Sequence, residues 1–300
     1  MRHLTPSDRG GREHATLTVL STGPLATVQD FGRPGRAHLG VPRSGAADLP
    51  ALAQANRLVG NPEGAAAIEV TLGGWSARAT GRMLLAVTGP AVRVTIDGVE
   101  AGSHSAIGVR DGAVVRVDAP VRGCRNYVAV RGGFDVLAEL GSRSTDTLSG
   151  LGPDPLRVGD VLAIGSDENE WPASGFAPVG SIPEIVSLVA ATGPRDDRVV
   201  DVTVLGDGRW TVSPASNRIG VRLDRVADDP PVRHRDDVPE MRSEGVPLGG
   251  VQIPPSGQPV IFLADHPVTG GYPVVAVLTA ESVSRAAQLT AGDEVRIVLR

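Results

Sequence analysis

Residues 26–74 read ATVQDFGRPGRAHLGVPRSGAADLPALAQANRLVGNPEGAAAIEVTLGG. A short apolar run enters Thr-Val-Gln-Asp, and then Gly32, Pro34, Gly35, Gly40, Pro42 and Gly45 interrupt the chain. Glycine reaches conformations closed to other residues and proline fixes φ, so these positions belong to a shaped loop and not to the interior of an element. Asp48 ahead of Leu49-Pro50 has the chemistry of a helix start. Its carboxylate can accept from the free N–H groups of the first turn, and proline there lacks an N–H that would go unused. The spacing predicts a helix over 49–58, with Leu52, Ala55, Leu58 and Val59 on one face. Gly60-Asn61-Pro62 stops it. A strand is expected at 66–72, with Glu69 inside it.

The same alternation of short apolar runs and turns continues outward. Only 3% of the residues are aromatic while 41% are apolar, so a substantial core must be built from Val, Leu, Ile and Ala. The 38 glycines and 24 prolines are spread along the 300 residues, which points to many turns between short strands. Strands are expected at 17–20, 25–28, 83–88, 92–96, 114–117, 127–130 and 161–164. After a polar linker at 166–181 they are expected at 184–190, 199–204, 208–212, 249–253, 259–263, 272–278 and 294–299. Short helices are expected at 135–140 and 282–288, and the charged run 224–240 reads as an exposed loop. LLAVTGP at 84–90 echoes LVAATGP at 188–194, and a Gly or Asp turn feeding a strand recurs at 110–117, 157–164 and 290–297. Two related β-barrels would explain these echoes. The division expected is a disordered tail over 1–15, a first β-barrel domain over 16–170 and a second over 171–300.

Charge and composition remove several function classes. The formal net charge is −5 with no basic block, which speaks against nucleic acid as a partner. The single cysteine, Cys124, permits no internal disulfide and no cysteine-based zinc site, which suits a reducing, cytoplasmic compartment. No apolar run is long enough to span a membrane, and the charged N-terminus lacks the apolar core of a signal peptide. The six histidines show no metal-ligand spacing, so no metal is expected. The sequence holds no phosphate-binding GxxxxGK[ST] loop, no GxSxG elbow and no lysine at all.

Four motifs have side chains suited to chemistry. Gln29 and Asp30, with Arg33, His38, Ser44 and Asp48, lie in the loop already quoted. A carboxylate beside an amide can hold a substrate amine or carboxyl group, or both can serve tight turns, with Asp48 as a helix cap. Asn217 and Arg218 in SPASNRIG can bind a carboxylate or phosphate, or form a polar turn. Glu244 in SEG sits beside a flexible glycine, an arrangement that suits a general base or a ligand clamp, or it belongs to a charged loop entering a strand. Asp265 and His266 end an apolar run, followed by Thr269, Gly270, Gly271 and Tyr272 in a tight polar loop. Acid–base work and a plain hairpin are both open there.

The segments TVQDFGRPG (27–35), HLGVPRSGAADLPALAQANRLVGNPEGAAAIEVTLGG (38–74), GCRNYVAVRGGF (123–134), GSRSTDT (141–147), SNRIGVRL (216–223), SEGVPLGGVQIPPSGQPVIFLADHPVTGGYPVVAVL (243–278) and AQLTAGDEVRI (287–297) together resemble the family of the 5-oxoprolinase C subunit. Its domain is also called allophanate hydrolase subunit 2 or the biotin-dependent carboxyltransferase domain. The resemblance covers roughly residues 17–299. It implies a mainly β fold with a few short helices, arranged as two cyclophilin-like β-barrel domains. It implies membership of a heteromeric, ATP-dependent hydrolase that opens the cyclic amide 5-oxoproline to glutamate. The partners would be a related B subunit, also called subunit 1, with a further A subunit. ATP would be a co-substrate of the complex, with no tightly bound cofactor. Two other readings follow from the same resemblance. One is biotin-dependent carboxyl transfer to urea or a related amide, with biotin supplied by a partner. The other is a regulatory module that sequesters its partner subunit.

Carried over by position, the resemblance implies Asp30, Glu244 and Asp265 as catalytic groups lining one cleft between the halves. Gln29, Asp48, Asn56, Asn217, Arg218, Thr269, Gly270, Gly271 and Tyr272 would bind substrate, with Arg218 taking a carboxylate. His266 and Val268 stand where relatives often carry other residues, and the loop 224–240 is unusually charged. Asp265 and the Thr-Gly-Gly-Tyr loop are therefore expected to carry the site, and His266 is not.

Overall fold

Apolar and polar residues alternate along most strands, and that alternation decides which face is buried. In Glu294–Leu299 and Val114–Val117 every second side chain points into the core. Arg125–Val130 is buried at all six positions, as befits a central strand covered on both faces. The computed structural model describes residues 15–172, 174–226 and 231–300. Residues 1–14 of the expected tail and residues 227–230 of the charged loop lie outside the described residues.

The chain divides into two compact units. The first holds the residues up to Arg33, Asp48–Asp146 and Gly150–Ser181, and the second Pro34–Ala47, Thr147–Ser149 and Ile182–Arg300. This division falls eleven residues later than a boundary at 170/171, and it assigns most of the glycine- and proline-rich loop to the second unit.

The first unit has two sheets around one core. The seven-stranded sheet runs in the order Gly132–Phe134, Val161–Asp167, Thr16–Thr22, Trp75–Thr80, Val114–Val117, Val94–Ile96 and Val99–Glu100. The five-stranded sheet runs Leu25–Gln29, Ala67–Thr71, Arg125–Val130, Met83–Thr88 and Ala106–Val109. Leu17, Trp75 and Val115 from the first sheet meet Val28, Ile68 and Val128 from the second. Both edges of the five-stranded sheet are covered, which removes exposed pairing sites. Thr145 and Leu156 donate backbone bonds to Val28 and Ala26 on one side, and Ala106 donates to Gly175 on the other.

The helix forms as its caps predict, over Leu49–Val59. Asp48 accepts from the Ala51 N–H at 3.2 Å, and Gly60 takes the left-handed conformation (φ 70°) that ends the helix. Its buried face carries Leu52, Ala55, Leu58 and Val59 and packs on the strands Arg125–Val130 and Met83–Thr88. Beneath it lies a buried polar chain. Tyr127 donates to Glu69 Oε2 at 2.8 Å and accepts from the Asp48 backbone N–H at 2.8 Å, while Arg125 lies 3.5 Å from Glu69 Oε1. Burial, then the charges of Glu69 and Asp48, push the Tyr127 phenol well above its ordinary range, so it stays a donor.

The second unit is a closed barrel in the order Ile185–Thr192, Val274–Leu278, Gly250–Gln252, Val260–Phe262, Gly220–Arg225, Trp210–Val212 and Glu294–Leu299. Closure comes from the parallel pairing of Glu294–Leu299 with Ile185–Thr192. A two-stranded piece, Glu244–Gly245 with Thr269–Gly270, stands apart from the barrel ladder. Among the described residues the α-helices are Leu49–Val59, Thr203–Asp207 and Ala280–Ala286, so the protein is mainly β.

Two expected elements differ. Residues 135–140 are not helical: Leu140 has φ 52°, and Glu139 pairs with Ser142 in a tight loop. Residues 199–204 do not form a strand. The Asp201 carboxylate accepts from Thr203 N–H and O–H and starts a helix whose Leu205 is fully buried. That local turn competes with the β-branched run, and the burial of Leu205 decides for the helix.

Tyr127→Phe keeps the ring's packing but takes one hydrogen-bond partner from Glu69 and one from the Asp48 backbone, both buried. A stability loss of about 1–3 kcal/mol is expected, measured by urea denaturation. An unchanged transition midpoint would show that this chain does not support the fold.

Candidate functional site

A buried carboxylate must be met by donors or it will not stay charged. This requirement separates the three acids called catalytic from the sequence. Asp30 ends the strand Leu25–Gln29 and is almost wholly buried. Its Oδ1 accepts from Gly32 N–H (2.7 Å), Ser142 Oγ (2.6 Å) and Ser144 Oγ (2.5 Å), and Oδ2 accepts from Arg143 N–H (2.6 Å). Asp30 therefore folds the GSRSTDT loop onto the first unit. Gln29 does the same from the preceding position, with Nε2 donating to Thr27 Oγ1 and to the Thr145 carbonyl, both at 3.0 Å. Arg33 is 2% exposed and donates through Nη2 to the Ser144 carbonyl at 2.6 Å. Asp48 is the helix cap, as the simpler of its two readings has it. Asn56 is fully buried. Its amide nitrogen donates to the Glu63 and Ala65 carbonyls and its oxygen accepts from Asn61, so its side chain is committed to the turn after the helix.

Asp265 lies in the second unit with no solvent exposure, beside Arg218 at 2%. The pair is bidentate: Nε to Oδ2 and Nη2 to Oδ1, both 2.9 Å. Ser44 Oγ donates to Oδ1 at 2.8 Å, and Thr147 donates to Oδ2 from N–H at 3.0 Å and from Oγ1 at 2.6 Å. Arg218 also reaches the Gly45 carbonyl at 2.7 Å. Burial alone would raise the Asp265 carboxyl, but Arg218, with further help from Thr147, holds it below its ordinary range. Arg218 thus binds a carboxylate, as its chemistry suggested, and that carboxylate is the protein's own. Asn217 is exposed, and its Oδ1 closes a turn onto Ile219 and Gly220 N–H.

Glu244 is placed differently. It pairs with Gly270 in the small two-stranded piece, and its side chain is 27% exposed. Oε2 accepts from Arg195 Nε at 3.1 Å and Nη2 at 2.6 Å. Oε1 has no hydrogen-bond partner among the described residues. The facing strand is Thr269–Gly270, followed by Gly271 and by Tyr272, which is 45% exposed. Gln252 braces the turn by donating Nε2 to the Tyr272 carbonyl at 3.2 Å. A Cβ on Gly270 would stand 2.8 Å from that nitrogen, so only glycine lets the amide sit so close. His266 is nearly buried. Its Nδ1–H donates to the Pro267 carbonyl at 2.7 Å, and its ring lies 5.6 Å from that of Phe262.

The second unit thus brings Glu244 beside Thr269 and Gly270 in one strand pairing, with Gly271 and Tyr272 following, and encloses Asp265 with Arg218. Arg195, Ser142, Ser144, Thr147 and Gln252 were not found from the sequence as partners of these acids. Arg195 follows the second copy of the ATGP-type echo, the signal that could have singled it out. Among the described residues no group of three or more His, Cys, Asp or Glu could hold a metal ion, and no helix is long and apolar enough to cross a membrane.

Residues 39–299 match the family model described as carboxyltransferase domain, subdomain A and B. The chain is 32% identical over 286 residues to the 5-oxoprolinase C subunit of Escherichia coli, covering 94% of this chain and 90% of that protein. It is 30% identical over 308 residues to the urea amidolyase of Saccharomyces cerevisiae, covering 95% of this chain but 17% of that longer protein. The crystal structure of the K. lactis urea amidolyase superposes with a TM-score of 0.87 at 28% identity, over 97% of this chain and 19% of that one.

Asp265→Asn leaves the Arg218 charge buried without its counter-ion, and a loss of about 3–5 kcal/mol is expected in urea denaturation at neutral pH. Because the folded carboxyl titrates below its unfolded value, its contribution is complete above the ordinary carboxylate range. It is lost as pH falls through the folded value. The gap between wild type and variant should therefore narrow on acidification, and a gap that widens would reject this role.

Proposed function

The chain belongs to the carboxyltransferase domain family, subdomains A and B, and from that premise we propose that it serves as the C subunit of an ATP-dependent 5-oxoprolinase. In this reading it acts in the cytoplasm, beside a related B subunit, with an A subunit completing the complex, in opening the cyclic amide of 5-oxoproline to glutamate. The observation that carries the reading is end-to-end similarity: alignment with the Escherichia coli protein takes in nine-tenths of both chains. ATP enters as a co-substrate of the assembled complex.

Glu244 is the acid suited to the chemistry on this chain. Opening a lactam by water requires a group that accepts a proton and a means of holding the amide in place. Asp30 and Asp265 have both oxygens engaged by internal donors, whereas among the described residues Glu244 keeps Oε1 open on a part-exposed two-stranded pairing. Thr269, Gly271 and Tyr272 supply further polar and backbone groups beside it.

The similarity to urea amidolyase supports a second reading, carboxyl transfer from carboxybiotin to urea or a related amide. With no lysine in these 300 residues, biotin would have to arrive on a partner.

Reconstitution with the B and A subunits should give glutamate release that depends on both ATP and 5-oxoproline. Glu244→Gln is expected to lower kcat/KM by at least ~10²-fold without loss of assembly. No glutamate, but carboxylation of urea in the presence of a biotinylated carrier, would replace the first reading with the second.

A further inference from the structure

Arg195 appears in none of the sequence motifs, yet its contacts define what Glu244 can recognise. A guanidinium carries five N–H groups in one plane. Arg195 uses Nε and Nη2 on Glu244 Oε2 and Nη1 on the Pro194 carbonyl at 2.8 Å. Three N–H groups are engaged, and one on each terminal nitrogen remains. Among the described residues the carboxylate is likewise half used, with Oε1 open. Both side chains are part-exposed, at 37% and 27%. The pair therefore offers an open acceptor oxygen and unengaged N–H donors, joined by a two-bond contact that restrains the two side chains.

We propose that Arg195 and Glu244 act together as a recognition element for a cis-amide, with Arg195 as a positioning residue and the donor to the carbonyl. This rests on the amide-substrate reading above and names the feature of the substrate that is read. Ordinary secondary amides are trans, with N–H and C=O pointing in opposite directions. In a small lactam the ring forces the cis form, and N–H and C=O point the same way. Urea has the same side-by-side face. Glu244 Oε1 accepts the amide N–H, and a remaining Arg195 N–H donates to the carbonyl oxygen. An open-chain trans amide satisfies only one of the two. Gly271, which follows the facing strand, adds no side chain, and from a Cβ there the nearest atom is Ser243 Oγ at 3.8 Å.

The test uses the full chain alone, without ATP or partner subunits, and ligand-observed NMR with 2-pyrrolidone, urea and N-methylacetamide. The two cis-face ligands should bind, and N-methylacetamide should bind at least tenfold more weakly. Arg195→Ala should abolish the preference while the unfolding midpoint stays within that of an exposed ion-pair loss. Arg195→Lys, which keeps the charge but not the planar fork, should recover less than half of the lactam affinity. In the reconstituted complex Arg195→Lys should raise KM for 5-oxoproline more than it lowers kcat. Equal binding of the cis and trans amides, no binding of any of them, or unchanged binding in Arg195→Ala would overturn the proposal. The binding arms need no turnover, so a complex that releases no glutamate would count against the function proposed above and not against this element.

Discussion

The ion pair of Arg218 and Asp265 is the contact on which the second unit most depends. Each side chain is removed from water, and an isolated charge in that setting is not tolerated. Two 2.9 Å bonds join them, and three further donors from Ser44 and Thr147 complete the carboxylate. Those donors come from segments far away in sequence, 221 and 118 positions before Asp265. This explains why Pro34–Ala47 and Thr147–Ser149 count with the second unit although the surrounding chain builds the first. A charge that must be neutralised draws in the chain that can neutralise it, and Ala47, Ala264 and Ala287 then close the apolar contact nearby.

The first unit repeats the principle without a cation. Asp30 is neutralised by two hydroxyls and two backbone N–H groups, which is enough for a carboxylate when all four are short. The cost of burying the charge becomes a constraint on the loop: Ser142, Arg143 and Ser144 can adopt one arrangement that serves both oxygens. Glu69 shows a third solution, with a tyrosine hydroxyl and an arginine dividing its two oxygens. In each case the carboxylate orders a segment of the chain.

What could be read from the sequence follows the range of the interactions. The helix over Leu49–Val59 was legible because its caps are local: Asp48, Pro50 and Gly60 each act within a turn. Most strands were legible because alternation is local too. Gly220–Arg225 escaped because it opens on glycine and carries Arg222, Asp224 and Arg225, so its apolar face is Val221 and Leu223 alone. Residues 199–204 misled because a β-branched run says strand while Asp201 says helix start, and only packing of Leu205 decides. The candidate site was legible as a set of residue types. Its division into enclosed and open acids was not, because Arg195 lies 49 positions from Glu244 and Arg218 lies 47 from Asp265. Nothing in the local spelling of SEG or ADHP tells which acid finds a full shell of donors.

That division gives the site its direction. An acid with both oxygens engaged by internal donors has less to offer a substrate, and disturbing it loosens the fold. Glu244 escapes this because it rides on a two-residue pairing outside the barrel ladder, where solvent reaches it and Arg195 takes one oxygen only. Arg195 fills one oxygen and orients the other. A fully exposed glutamate would rotate freely, and a fully buried one would have to find more donors, as Asp265 does. The half-open pair lies between these limits, fixed in direction yet unsaturated, which is the condition a recognition group must meet.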